Sequence, residues 1–178
     1  MFSAIALMLA QAAPATEPPP IPSIEDARVQ IAELDSRLFW AAFEGCEPDE
    51  LGGILAEDFR MLHDLGGLAV PSRDAFLASI AQQCADREPD GANPGYKNRR
   101  LLVPGSRTVT PLGEWGVLER AHHTFHEWRG GDKGWEQVGG ARYIHVWQWI
   151  AEEGRFRLAE SLSIDHGAAE PYPPAKRD

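Results

Sequence analysis

Six histidines are the residues of this 178-residue chain best suited to chemistry, and their spacing divides them into two sets. Imidazole titrates near neutral pH, so it can pass protons or, when neutral, ligate a divalent metal. His63 shares strand parity with Phe59 and Met61, and His123 with Val117, Ala121 and Phe125. His145 shares it with Ala141, Tyr143 and Trp147, and His166 with Phe156, Leu158, Leu162 and Ile164. Alternate side chains face opposite sides of a sheet. These four histidines are therefore expected on the face toward the helices, converging on one cavity. There, burial and mutual repulsion disfavour their charged forms, and some should titrate below about 6.5. The opposite parity is more polar and carries Arg60, Arg120, His122, Thr124, His126, Arg142, Gln148, Arg157, Ser161, Ser163 and Asp165. His122 and His126 read as solvated surface residues.

The candidate acid–base residues are His63, Asp64, His123 and His145. His63-Asp64 ends a strand at a glycine turn, where a pocket mouth would lie. Asp64 could act as a base or orient a histidine, although aspartate is favoured in turns on conformational grounds alone. The candidate substrate-binding residues are Arg100, Tyr143, Asp165 and His166. The planar fork of Arg100 suits a carboxylate or phosphate, and an ion pair with an acidic rim residue would serve it equally well. Each histidine taken singly is also consistent with a satisfied core residue. No HxH or HExxH falls on the apolar parity, so no metal ligand set and no other cofactor is assigned. A divalent ion on the histidine cluster is the one cofactor this chemistry would admit.

Helices come first and long strands afterwards, an α+β order rather than βαβ. Ser23 and Asp26 open a capping-box-like start, and Ile24, Ala27, Ile31, Leu34, Leu38 and Ala42 recur at helical spacing up to Gly45. A short second helix is expected over 49–56, then strands over 59–63 and 68–70 across an Asp64–Gly67 turn. Ser72 caps a third helix with Phe76, Leu77, Ile80, Ala81 and Cys84 on one face. Strands are expected over 97–104, 107–112, 115–128, 138–150 and 155–166. Three helices packed on one strongly curved, mainly antiparallel sheet would enclose an internal pocket in a cone.

A formal charge of −10 without a basic cluster argues against nucleic acid and against an anionic membrane surface. Residues 1–12 read as a signal peptide, with a short apolar run from Ala4 to Ala10 before an Ala-Gln-Ala site. Residues 13–22 are a proline-rich tether, 23–168 the domain and 169–178 a flexible tail. Localisation is therefore expected to be periplasmic or secreted. There are two cysteines, which would stay buried thiols in a reducing compartment and pair in an oxidising one. Export favours a Cys46–Cys84 disulfide tying the end of the first helix to the third.

Several stretches, in this order, resemble the SnoaL-like domain of unknown function, a branch of the nuclear transport factor 2-like superfamily. They are Asp58-Phe59 through His63-Asp64-Leu65-Gly66-Gly67, Arg99-Arg100-Leu101-Leu102-Val103-Pro104-Gly105-Ser106, His123-Thr124-Phe125, Arg142-Tyr143-Ile144-His145-Val146-Trp147 and Ser163-Ile164-Asp165-His166. Cys46 and Cys84 also fall where this branch carries cysteines. The resemblance spans about 25–166; a longer segment around 86–95 and the extra His122 depart from it. It implies a cone-like fold with a cavity, in which ketosteroid isomerase, scytalone dehydratase and polyketide cyclases use Asp or His acid–base chemistry. The resemblance marks His63, Arg100, His123, His145, Asp165 and His166 as pocket candidates but carries no activity across. The expected function is a small-molecule pocket in an exported protein, an isomerase-, dehydratase- or cyclase-type enzyme. The alternatives are a non-catalytic ligand-binding module and a homodimer formed through the sheet.

Overall fold

The first helix forms where the capping signal places it. In a computed structural model, which describes residues 18–167, the Ser23 hydroxyl accepts the Asp26 backbone N–H and α1 runs Ile24–Phe39. It continues as a π-helical turn, Trp40–Glu44, that ends at Cys46 in the left-handed region (φ 52°). Helix α2 is Pro48–Ile54, and Pro48 suits a first turn whose N–H groups lack helical partners anyway. Strand β1, Leu55–His63, begins earlier than the spacing suggests, because Leu55 and Ala56 are buried strand residues rather than helix. After β2, Gly67–Val70, the Ser72 hydroxyl caps α3, Arg73–Arg87. The remaining strands are β3 (Asn98–Leu102), β4 (Thr108–Pro111), β5 (Gly116–Trp128), β6 (Trp135–Ile150) and β7 (Arg155–Gly167).

The seven strands form one sheet in the order β2-β1-β7-β6-β5-β3, with β4 also paired to β5. Only β1–β7 is parallel; the other pairs are antiparallel. Bulges bend the sheet around the helices. Gly116 allows β5 to start against β6, since a Cβ there would overlap the Trp147 carbonyl.

Two bulges on β7 revise the strand parity. Val146 faces Glu160 but Trp147 faces Leu158, so Ala159 is an extra residue and the alternation reverses. Ser161 and Ser163 therefore point inward and are buried, while Leu162 and Ile164, expected inward, do not. A second irregularity at Asp165 (φ 56°) restores the original sense, and His166 turns back inside.

The core joins α1, α2 and α3 to the inner face of the sheet through Ile31, Leu38, Phe39, Leu51, Ile54, Phe59, Ile80, Trp147, Phe156 and Leu158. Each such side chain contributes roughly 1.5–3 kcal/mol when taken out of water. Cys46 and Cys84 form the expected disulfide, with Cα atoms 5.7 Å apart. The bridge fastens the π-helical turn to α3. Residues 18–22 carry neither helix nor strand, yet they are held: Trp149 Nε1 donates to the Pro19 carbonyl at 3.2 Å, and Ile21 packs on the core. The expected signal peptide, the first part of the tether and the tail lie outside the described residues. No helix among the described residues is long and apolar enough to cross a membrane.

Candidate functional site

The four histidines predicted to face the helices do share one face. A row of rings crosses the sheet, with centroid spacings of 4.4 Å for His145–Tyr143, 4.9 Å for Tyr143–His123 and 4.8 Å for His123–Phe125. It continues through Phe125–His166 at 5.8 Å and His166–His63 at 4.1 Å. The row does not border one cavity. His145 lines an apolar cavity of about 150 Å³ under the helices, whereas His63 and His166 line a more open one of about 270 Å³ at its mouth. Arg100 and Phe43 border both.

At the inner end, His145 belongs to a buried charged assembly. Its Nδ1 lies 3.3 Å from Asp35 Oδ1 and 3.5 Å from Glu119 Oε2. The angles do not make these shaped hydrogen bonds, so the attraction is mainly one of charge. Arg107 closes the other side, pairing with Asp35 Oδ2 and donating Nε to Glu119 Oε1 at 2.7 Å. The Tyr143 hydroxyl reaches Asp35 Oδ2 at 3.0 Å, and Trp147 Nε1 donates to Glu119 Oε2 at 2.9 Å. Burial alone would lower the pKa of His145, but the two carboxylates outweigh it and hold it above the usual value. Tyr143 is pushed up by burial and by the same carboxylates, so its phenol stays neutral. With Nδ1 turned to the carboxylates, Nε2 is the His145 atom left for the cavity.

Asp35, Glu119 and Arg107 were not among the residues the sequence singles out. Two of them had a signal. Glu119 shares the parity of Val117, Ala121 and His123, and Asp35 lies four residues after Ile31 on the inner stripe of α1. A carboxylate on an apolar face is uncommon unless paired. Arg107, in the link between β3 and β4, had none.

The histidine expectation for pKa holds for two members and reverses for one. His123 is wholly buried, with neither ring nitrogen hydrogen-bonded among the described residues. Burial first, then Arg100 and His145, drives its pKa far down, so it is neutral. His63 is lowered by burial and by His166, against a smaller opposing pull from Asp64. His145 is raised, because carboxylates absent from the parity argument sit beside it.

At the mouth, Asp64 orients the histidines. Its Oδ1 accepts His166 Nδ1 at 2.7 Å and lies 3.2 Å from His63 Nδ1, while Oδ2 accepts the His166 backbone N–H at 3.2 Å. Burial would raise the Asp64 pKa, but these bonds overcome it and keep the carboxyl below its ordinary value. His122 and His126 lie outside this row, but both are half-buried rather than solvated, and His126, expected to point away, lines the mouth cavity, where its Nε2 meets the Thr124 hydroxyl at 2.9 Å. Asp165, expected near the ligand, instead pairs outward with Arg142 at 2.8 Å, because the bulge that returns His166 turns Asp165 away.

Two trios have ligand atoms within 4.8 Å of one another, the spacing a metal ion needs: His63, Asp64 and His166, and the buried Asp35, Glu119 and His145. In the buried trio, Arg107 and Tyr143 already donate to the carboxylates. In the other, the two imidazoles stack at 22°, both Nδ1 atoms lie within 3.2 Å of Asp64 Oδ1, and His63 Nδ1 takes the Leu65 N–H at 3.1 Å.

Arg100 is the cation of the site. Its guanidinium lies over Phe43 and Phe125, each at 4.7 Å, and its Nε is buried with no hydrogen bond. Among the described residues it forms no ion pair. Burial lowers its pKa to about 10, which leaves it charged at neutral pH. A larger depression, about 720 Å³, lies elsewhere; in its lining Arg157 bonds Glu153 and the carbonyls of Gly53 and Leu55.

No family model and no curated protein matches the sequence. Solved structures do. One from Catenulispora acidiphila has a TM-score of 0.61 at 15% identity, covering 80% of this chain and 92% of its own. Another from that organism, in complex with S-DNPA, has a TM-score of 0.59 at 13% identity, covering 78% and 94%. A protein from Novosphingobium aromaticivorans described as NTF2-like with a cystatin-like fold has a TM-score of 0.59 at 17% identity, covering 79% and 82%. Helices first, a curved mixed sheet after them and these matches along most of the chain give one result: the protein has the nuclear transport factor 2-like, cystatin-like fold.

Proposed function

We propose that this protein is an exported acid–base enzyme of the isomerase, dehydratase or cyclase type, acting on a small molecule held in the cavity beneath the helices. The observation that carries this reading is a pair of inner-face histidines pushed in opposite directions. The pKa of His145 is raised by Asp35 and Glu119 against its burial, and that of His63 at the mouth is lowered by burial and by His166. Titratable groups driven apart by their surroundings are the usual mark of an acid and a base. His145 donates its Nε2 proton to a ligand oxygen. The imidazole of His63, at the mouth, is the base available to take a proton from the ligand. Arg100 stabilises the negative charge that develops between the two transfers. The Cys46–Cys84 bridge suits an oxidising compartment and so supports export.

A Catenulispora acidiphila structure of this fold in complex with S-DNPA supports small-molecule binding. The test is His145→Gln, assayed for solvent deuterium exchange into a panel of cyclic ketones and enones and, separately, for ligand binding by calorimetry. Exchange lost with binding retained is expected. Exchange that is absent in the wild type, or survives the substitution, refutes the acid–base role and leaves a binding module. Pairing of two copies through the outer sheet face belongs to the same proposal, and sedimentation of a monomer alone would remove it.

A further inference from the structure

The cavity and its cation together define a ligand class. We propose that the site takes a compact aromatic or alicyclic monocarboxylate, about the size of benzoate, with its carboxylate on Arg100 and its ring in the apolar cavity. This deepens the acid–base reading by naming the substrate class, and it rests on that reading only for the cavity's location.

Size comes first. The cavity holds about 150 Å³ and is walled by Leu38, Phe39, Phe59, Phe76, Ile80 and Leu158. An apolar cavity of about that volume, lined by such side chains, takes up benzene. A steroid or a long acyl chain exceeds it.

Charge comes second. Arg100 is the charged residue of this cavity that lacks a protein counter-ion, since the charge on His145 is balanced by Asp35 and Glu119. Arg100 is half-buried, with its Nε out of water and without a hydrogen bond, and a cation so placed is costly unless something complements it. Phe43 and Phe125 offer only their ring faces, a weaker complement than a carboxylate. A planar fork matches a carboxylate through two parallel N–H···O bonds. A phosphate dianion would bring a second negative charge toward Asp35 and Glu119, and the other arginine at the mouth, Arg99, is stacked on Trp135.

Access comes third. Arg100 and Phe43 border both the inner cavity and the mouth, where His63, His166, Tyr96 and Phe125 stand. A ring that enters from the mouth passes the Phe43–Arg100 stack and leaves its carboxylate at the guanidinium. That places the atoms next to the carboxylate toward His145.

The experiment is calorimetric titration of the full chain with benzoate, cyclohexanecarboxylate, benzyl alcohol and phenyl phosphate at neutral pH. Benzoate and cyclohexanecarboxylate should bind at least ten-fold more tightly than benzyl alcohol. Arg100→Gln should remove that preference while benzyl alcohol is unaffected. Arg100→Lys, which keeps the charge and loses the fork, should retain part of it and serves if the glutamine variant does not fold. Carboxylates that bind no better than benzyl alcohol, or phenyl phosphate that binds better than benzoate, would overturn the proposal. Failure here with His145-dependent exchange intact rejects only the ligand class; benzoate binding by a wild-type protein that shows no exchange rejects only the chemistry.

Discussion

Replacing Glu119 by Gln tests whether the buried assembly governs His145. Glu119 is wholly buried and faces three donors: Arg107 Nε at 2.7 Å, Trp147 Nε1 at 2.9 Å and the Tyr143 hydroxyl at 3.3 Å. A carboxamide of the same shape keeps one acceptor oxygen and turns an NH₂ toward either Arg107 or Trp147. One buried donor is then left without a partner, which costs about 1–3 kcal/mol. Arg107 also loses one of its two carboxylates but keeps Asp35, so the penalty stays below the roughly 3–5 kcal/mol of a charge stripped of its only partner. The expected loss is about 3 kcal/mol, or roughly 6–12 °C in Tm for a domain near this size.

The same substitution removes half of the carboxylate charge that holds the pKa of His145 up. Because the folded midpoint lies above the unfolded value of about 6.5, this stabilisation is complete below that pH and is lost as pH rises through the folded midpoint. In Glu119→Gln the folded midpoint falls, so the loss should begin at lower pH and be smaller. Thermal unfolding by circular dichroism across neutral pH reads the stability, and an imidazole NMR titration reads the midpoint. A Tm within about 1 °C of wild type together with an unchanged His145 midpoint would refute the reasoning.

Three further outcomes are expected. Cys46→Ser/Cys84→Ser should lower stability by about 4 kcal/mol in the chain-entropy model, for a sequence separation of 38 residues; a urea midpoint unmoved by the double change would argue against it. Asp64→Asn should lower the His63 midpoint further, because the carboxylate is what pulls it upward against burial and His166, and an imidazole NMR titration that shows it rising would contradict the arrangement at the mouth. Exported protein should begin at Ala13 or within a few residues of it, and an intact mass that starts at Met1 would exclude the signal-peptide assignment.

The elements and the inner row of rings were legible in the sequence because they depend on local rules. Ser23 and Ser72 announce their helices through a hydroxyl within reach of a backbone N–H, and alternation sorts His123 and His145 onto one face whatever surrounds them. Where the chain adds one residue to a strand, the same alternation fails. Ala159 and Asp165 carry no mark of a bulge, so simple alternation puts Ser161 and Ser163 outside, and its inward placement of His166 holds only because the two shifts cancel. The electrostatic setting of His145 depends on the tertiary structure altogether. Its charge is set by Asp35, 110 positions earlier on α1, and by Glu119 on the neighbouring strand, brought within 3.5 Å by packing rather than by chain proximity. Strand parity places a side chain on a face; which charges meet there is decided only when helix and sheet close over one another, because electrostatic attraction depends on distance in space and on the water that burial excludes.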